Sequence, residues 1–314
     1  MNPLSHIYGL GVRTRNALYD RGTLSARRLQ GPVVSVGNLS VGGSGKTPFV
    51  LMLAELLRER GVGFDILSRG YGRQSRGVVV VDPGGLPQDF GDEPLLLARR
   101  LGVSVVVGED RYEAGLLAES KFGPQLHLLD DGFQHRSLAR DFDIVLVTPD
   151  DAKDQLLPEG RLREPLSSLR RADAIVLAYG APAESFPVEG KFVWQARRGI
   201  LPRDVPPRPF VFCGIARPRL FVTQLRLAGI EPVGEAFFRD HHAYTKKDIQ
   251  DLLKLGRESE AGGFVTTEKD AVNLGGFLSA LQPLGVVPVR VSLVDAANAV
   301  DSILRTISER KVTA

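Results

Sequence analysis

One stretch, Val33-Val34-Ser35-Val36-Gly37-Asn38-Leu39-Ser40-Val41-Gly42-Gly43-Ser44-Gly45-Lys46-Thr47, constrains what this chain can fold into more than any other. A β-branched run feeds a glycine loop, and the apolar positions that follow (Phe49, Val50, Leu53, Leu56, Leu57) have helical spacing. Strand, glycine turn and helix in that order gather backbone N–H groups and a helix N-terminus around one point, which suits phosphate oxygens. Ser40, Val41, Gly42, Gly43, Ser44 and Gly45 would form the loop. Lys46 would bring a point charge to the β/γ-phosphates, and the Thr47 hydroxyl would serve Mg²⁺. Ser40 stands where the usual pattern has glycine. Pro48 is no obstacle, because the first helical turn has no intrahelical use for its N–H. The expectation is a chain that handles a nucleoside triphosphate.

The chain has 314 residues, enough for about two domains. Hydrophobic content of 43% is ordinary for a protein with a packed core, and a net charge of +3 does not by itself call for nucleic acid. A single cysteine, Cys213, excludes an internal disulfide and a cysteine zinc site and fits a reducing compartment. In the run Phe210-Val211-Phe212-Cys213 it reads as a small buried hydrophobe. No apolar window is long enough to span a membrane, and no secretory signal pattern opens the chain. The first thirty residues instead mix Arg13, Arg15, Arg21, Arg27 and Arg28 with Leu4, Ile7, Tyr8, Leu10 and Leu18. That pattern fits either a helix lying on an anionic membrane surface or a helix docked on its own domain.

After the loop, short apolar runs alternate with helical ones. Strands are expected at 33–36, 64–67, 78–81, 103–107, 126–129, 144–147 and 175–178, with helices at 48–60, 94–101 and 112–121. This predicts an α/β fold: a mainly parallel, P-loop NTPase-like sheet with helices on both faces. Ligands of such sheets sit beyond the carboxyl ends of the strands. The proline-dense stretch 201–209 breaks the pattern, and a second α/β pattern follows with strands at 210–213, 263–265 and 286–291 and a helix near 296–307. The expected organisation is a nucleotide domain over 1–185, a connector over 186–209 and a smaller α/β domain over 210–314.

Several clusters carry chemistry. Leu126–Leu129 runs into Asp130-Asp131-Gly132-Phe133-Gln134-His135-Arg136, and an acid at a strand end is where a P-loop protein holds its metal. The same residues also suit a polar turn. Gly91-Asp92-Glu93-Pro94 opens a helix and is accounted for by capping, with Asp92 as the cap, though a carboxylate held there can also act as a base. Arginine-bearing loops at Ser68-Arg69-Gly70-Tyr71, Gly108-Glu109-Asp110-Arg111 and Leu162-Arg163-Glu164-Pro165 suit an anionic substrate or simple solvation. Asp240-His241-His242 holds too few ligands for a metal site. Thr267-Glu268-Lys269-Asp270 reads as a helix capping box.

Taken together, these strings resemble the tetraacyldisaccharide 4′-kinase (lipid A 4′-kinase) family. The shared pieces are Val36-Gly37-Asn38-Leu39, Gly42 to Pro48, Ser68 to Tyr71, Gly91 to Pro94, Glu109 to Tyr112, Asp130 to Arg136, Leu162 to Pro165, Asp240-His241 and Thr267 to Ala271, in family order over nearly the whole chain. The resemblance implies ATP- and Mg²⁺-dependent phosphorylation of the 4′-hydroxyl of an acylated glucosamine disaccharide 1-phosphate. It also implies a peripheral position on the cytoplasmic face of the bacterial inner membrane, with no nucleic acid and no obligate protein partner. By the same resemblance Asp92 is the base, paired with His241. Lys46 and the loop amides hold phosphate, and Thr47, Asp130, Asp131 and Glu93 serve the metal. Arg69, Tyr71, Arg111, Gln134, His135 and Arg163 position the lipid headgroup or the γ-phosphate. A nucleotide switch is the rival class. Val41 stands where partitioning ATPases carry a lysine, and no Asn-Lys-x-Asp guanine-reading string is present.

Overall fold

The computed structural model describes residues 3–178 and 180–313. Helix α1 (Pro3–Asp20) precedes strand β1 (Val33–Asn38), and the glycine loop leads from β1 into α2 (Lys46–Glu59). The chain continues through β2 (Phe64–Ser68), β3 (Val79–Val80), α3 (Pro87–Phe90), α4 (Asp92–Leu101), β4 (Val105–Val107), α5 (Arg111–Phe122), β5 (Leu126–Asp130), β6 (Phe142–Val147), β7 (Ala174–Ala178) and β8 (Phe192–Ile200). A second group follows: β9 (Pro209–Cys213), α6 (Pro218–Leu227), β10 (Gly234–Phe237), α7 (Lys246–Glu258), β11 (Gly263–Thr267), α8 (Glu268–Leu274) and β12 (Leu284–Val287). Strand β13 (Val289–Leu293) and helix α9 (Ala296–Thr313) end the chain.

Two sheets result. The larger is ordered β13-β8-β7-β6-β1-β5-β2-β4-β3, parallel except for the two edge strands, and the smaller is β10-β9-β11-β12, all parallel. Strand β1 lies between β5 and β6, so the loop leaves the sheet at its centre. Alternate residues serve opposite faces. Val34, Val36, Ile66, Leu128 and Ile144 pack with α2, α4 and α9, whereas Val33, Leu67 and Leu129 pack with α5, and Val145 with the segment around Leu162 and Leu169. Both faces are covered, which is why these strands are continuously apolar.

The domain boundaries differ from those expected. The presumed connector contains β8, which pairs in parallel with β7 over Phe192 to Ala196. The expected single strand 286–291 breaks at Pro288: β12 belongs to the small sheet, while β13 runs antiparallel to β8 in the large one. Pro288 has no N–H to continue a ladder, and the chain changes sheet there. Helix α9 then buries Ala299, Val300, Ile303 and Ile307 in the main core. The small lobe is therefore an insertion spanning Pro209 to Val287, and the last strand and helix complete the large lobe. Cys213 is buried in the small sheet, and burial pushes its thiol pKa up, so it packs as a hydrophobe.

At the end of the sheet opposite the glycine loop, His127 is completely buried. Its Nδ1 is 2.9 Å from Asp65 Oδ1 and its Nε2 is 3.3 Å from Glu119 Oε1. Burial opposes the imidazolium, but Asp65 and Glu119 outweigh it and raise the His127 pKa. Removing the ring leaves two carboxylates facing each other in the interior, so His127→Ala is expected to cost about 3–5 kcal/mol of stability in chemical denaturation. A raised folded-state pKa means this contribution is full below the ordinary histidine range and fades as pH climbs through the raised value. The parent's denaturation midpoint should therefore drop between about pH 6 and pH 9 by more than that of His127→Gln.

Candidate active site

Four strand ends on one edge of the large sheet meet at the glycine loop. β1 delivers Asn38 and the loop, β2 delivers Ser68 and Arg69, β5 delivers Asp130 and Asp131, and the segment after β6 brings back Arg163. Gly42 and Gly45 have φ of 84° and 85°, the left-handed region that a side chain disfavours, so glycine is required for the loop to close over its own helix. Gly45 is the N-cap of α2 and supplies no side-chain cap, which leaves the first-turn N–H groups of α2 facing the loop.

Asn38 ties the elements together. Its Oδ1 accepts from Lys46 Nζ at 2.9 Å and from Arg163 Nη2, its carbonyl accepts from Gln134 Nε2 at 2.9 Å, and its Nδ2 donates to Ser40 O at 2.6 Å. Arg163 also grips Asp131 with both terminal nitrogens, at 3.0 and 2.8 Å, while Lys46 Nζ lies 3.5 Å from Asp131. Burial works against the charge on Asp131, but Lys46 and Arg163 overcome it and hold the carboxyl well below the usual range. Asp130 has the opposite environment. Burial, Glu93 and Asp131 push its pKa up to about 7, its Oδ2 accepts only from Ser68 Oγ at 3.2 Å, and its Oδ1 is buried with no partner.

The unpartnered buried atoms concentrate here: Ser44 Oγ, Asp130 Oδ1, Gln134 Oε1, Arg163 Nε and Arg111 Nε. Native interiors leave few such atoms, and a group of them around one loop marks where a polar ligand completes the set. Arg111, at the start of α5, is buried, and burial followed by the charge of Arg69 brings its pKa down to about 10. Burial and Arg111 push the His135 imidazole down to about 4, so it is neutral and bonded to Ser137 Oγ at 3.0 Å.

A second cluster joins the lobes. Asp92, buried at the first turn of α4, accepts from His241 Nδ1 at 3.0 and 2.9 Å on its two oxygens, from Asn273 Nδ2 at 3.0 Å and from the Glu93 backbone N–H at 2.8 Å. A carboxylate has about four acceptor positions, and these four contacts, two on each oxygen, occupy them, with the His241 N–H shared between both oxygens. Lys269 Nζ lies 3.1 Å from His241 Nε2, 2.9 Å from Asp240 and 3.5 Å from Glu93. An ammonium can only donate, so Nε2 accepts and the His241 proton sits on Nδ1, directed at Asp92. Burial raises the Asp92 pKa, but His241 and Lys269 win and lower it. Burial disfavours the His241 cation, and Asp92 more than restores it. His241 itself has φ 58°, and the Tyr71 ring, 65% exposed, stands 5.0 Å from the imidazole.

Not every expected residue plays the expected part. Asp92 is not the cap of α4; that position is Gly91, at φ 91°, and the Asp92 side chain turns to the other lobe instead. Ser40 is buried, its carbonyl taken by Asn38, and the Val41 N–H is bound to Arg161 O at 2.8 Å, so these two anchor the loop. Lys269 was expected only as part of a capping box. The cap exists, Thr267 Oγ1 accepting from the Asp270 N–H at 3.2 Å, yet Lys269 beside it reaches the dyad. Asn38, Ser68 and Asn273 are further members that spacing did not single out.

Known proteins resemble this chain over nearly its whole length. A family model described as Tetraacyldisaccharide-1-P 4'-kinase (LpxK) matches residues 1–308. The tetraacyldisaccharide 4'-kinase of Koribacter versatilis is 53% identical over 321 residues, covering 99% of this chain and 100% of that protein. The corresponding protein of Aquifex aeolicus is 43% identical over 88% of this chain and 89% of its own length. The crystal structure of LpxK from Aquifex aeolicus in complex with ATP superposes with a TM-score of 0.79 at 38% identity, over 97% of each chain. An α/β fold with a central glycine loop, a whole-length family match and relatives of this similarity lead to one conclusion: the chain belongs to the tetraacyldisaccharide-1-P 4'-kinase family.

Proposed function

We propose that this chain transfers the γ-phosphoryl group of ATP to the 4′-hydroxyl of a tetraacylated glucosamine disaccharide 1-phosphate, giving lipid IVA. The observation that carries the reading is the continuous polar path from the glycine loop to the dyad. Asp130 feels Glu93, Glu93 pairs with Lys269, and Lys269 touches both His241 and, at 3.9 Å, Asp92. Phosphoryl transfer needs charge neutralisation and in-line placement more than covalent help. Lys46, the loop amides of Gly42 to Gly45 and the N-terminus of α2 neutralise the phosphate tail. Asp92 takes the proton of the attacking hydroxyl on an oxygen that the shared His241 N–H gives up by settling on the other. His241 keeps that carboxylate ionised and aimed, so no large pKa shift is needed. Because His241 comes from the small lobe, closure of the two lobes completes the base and excludes water.

The residues around Asp130 fit a hard divalent cation. Oxygen ligands are what Mg²⁺ takes, and Asp130 Oδ1 is a buried oxygen without a hydrogen-bond partner, on a carboxyl where burial, Glu93 and Asp131 outweigh the nearby Lys46. Asp130 and the Thr47 hydroxyl would hold the ion, with Glu93 and Asp131 alongside, and Mg²⁺ would offset charge on the β- and γ-phosphates. Among the described residues no group of three His, Cys, Asp or Glu side chains could by itself hold a metal ion, so Mg²⁺ here would need phosphate oxygens and water to complete its shell. Arg69, Arg111 and Arg163 surround the place where anionic groups would meet, and Tyr71 would face the sugar beside His241.

Helix α1 suits a lipid substrate. It is docked, not free: Ser5 Oγ donates to Leu156 O at 3.2 Å, Tyr8 OH to Arg163 O at 2.9 Å, and Asn16 Nδ2 to Glu164 Oε2 at 2.8 Å. Its outer side presents Leu4, Ile7 and Leu10, exposed by 59, 68 and 66%. Part of the basic charge is already used, since Arg27 pairs with Asp110 and Glu113 and Arg28 with Asp141. The helix is thus docked on one side and leaves apolar side chains exposed on the other. Among the described residues no helix is long and apolar enough to cross a membrane. Peripheral binding at the cytoplasmic face of the inner membrane, where the acyl chains are buried and the headgroup is offered to the glycine-loop edge, is the placement this surface supports.

The decisive assay follows label from ATP to a tetraacyldisaccharide 1-phosphate acceptor. Label appearing on the disaccharide, with little hydrolysis in its absence, supports the kinase, and acceptor-independent hydrolysis alone would refute it. Asp92→Asn is expected to lower kcat by about 10²–10⁴ while leaving ATP affinity unchanged, and His241→Ala by a smaller factor. Chelation of divalent cations should stop transfer in the parent. Replacing Leu4, Ile7 and Leu10 together with serine should weaken sedimentation with vesicles containing anionic lipid while preserving the melting temperature.

A further inference from the structure

The small lobe touches the glycine loop itself, through residues other than those of the Asp92–His241 contact. The turn after β9, Gly214 to Pro218, lies across the loop. A Cβ at Gly43 would meet Arg217 Cγ at 3.2 Å and Ala216 Cβ at 3.3 Å, and one at Gly42 would meet Ala216 Cβ at 3.6 Å. Arg217 is thus carried by the small lobe over the face of a loop built for phosphate. Its Nη2 lies 3.0 Å from Asp150 Oδ2, in the segment after β6, so the ion pair bridges the lobes. Asp150 is not needed by its other neighbour: Arg161 reaches it only at 3.4 Å and has a closer partner in Asp154 at 2.8 Å.

A second arginine stands beside the first. Arg198, near the carboxyl end of β8, is close enough to Arg217 for the two cations to repel, and burial together with that repulsion lowers the Arg198 pKa. Among the described residues no carboxylate pairs with Arg198, and its Nε is buried without a hydrogen-bond partner. An adjoining cavity of about 440 Å³ is lined by Asp150, Arg161, Arg217, Pro218, Arg219 and Leu220, three guanidinium groups against one acid. Like charges gathered with so little compensation are held at a cost unless an anion joins them.

We propose that Arg217 forms a second cationic contact to the phosphate tail of the nucleotide, and that Asp150 competes with those phosphates for it. The proposal rests on reading the glycine loop as the ATP site. The Asp150 side chain is 56% exposed and its pair with Arg217 is correspondingly weak, so a multiply charged phosphate chain can take its place. Exchanging a carboxylate for phosphate would couple nucleotide binding to the seating of the small lobe, and with it to the approach of His241, which the same lobe carries.

The test is calorimetric titration of the full chain with ATP, ADP and AMP in the presence of Mg²⁺, without lipid. An error in the acceptor assignment would then leave the result untouched. Arg217→Ala is expected to weaken ATP about tenfold and AMP by less than about twofold, with Arg217→Lys recovering part of the loss. Asp150→Asn, which releases Arg217, should tighten ATP severalfold. Melting temperatures within a few degrees of the parent confirm that each variant is folded. ATP affinity unchanged in Arg217→Ala, or ATP and AMP weakened alike, would overturn the cationic contact. Weaker ATP binding in Asp150→Asn would overturn the competition. A parent that binds no ATP would sink this inference together with the glycine-loop reading on which it stands.

Discussion

Two neighbouring carboxylates at the end of β5 meet opposite fates, and the site is organised around that difference. Asp131 is held by Arg163 and Lys46 and is ionised at any ordinary pH. Asp130, one residue earlier, is turned inward with a single hydroxyl for company. In a low-dielectric interior an uncompensated carboxylate is tolerated only with a proton or a cation. The central strand pairing of β1 with β5 and β6 fixes this arrangement, since it delivers the glycine loop and both acids to one edge in fixed register. Asn38 then spreads the constraint, because one amide side chain joins Lys46, Arg163 and the loop backbone.

The base is assembled across a lobe boundary instead of within one element. Asp92 rides on the large lobe and His241 and Asn273 on the small one. Lys269 sits where three acids converge, Asp92, Glu93 and Asp240, and keeps that density of negative charge from driving the lobes apart. Its ammonium also fixes the proton on His241 by occupying Nε2. The same residue lies in the first turn of α8, next to a genuine cap, so one short string does structural and electrostatic work at once.

The parts of this molecule legible from sequence are those that follow local rules. Apolar runs of four to six residues marked the strands of the large sheet, and the loop between β1 and α2 was visible from glycine and Lys46 alone. Long-range relations were less accessible. Strand β8 was hidden because Arg197 and Arg198 interrupt its apolar character and prolines follow it closely. The valines on both sides of Pro288 make 286–291 read as one apolar run; the proline is a local sign of a break, but nothing local says that the two halves pair in different sheets. Lys269 was visible as a residue but not as a partner of Asp92, since 177 positions separate them and only the fold of the second lobe brings them together. The capping account of Asp92 is locally complete, so its pairing with His241 is legible only through the family resemblance; the structure brings the two to 2.9 Å.

The inserted position of the small lobe has a mechanical consequence. The chain leaves the large sheet at the end of β8 and re-enters at the start of β13, where Ile200 and Val289 are register partners. Two tethers side by side behave like the two leaves of a door mounting: they allow swing about the line that joins them and resist twist and slide. A lobe mounted in this way returns along one arc, so an imidazole and a guanidinium at different distances from the axis arrive at their partners in a set order and cannot be delivered separately.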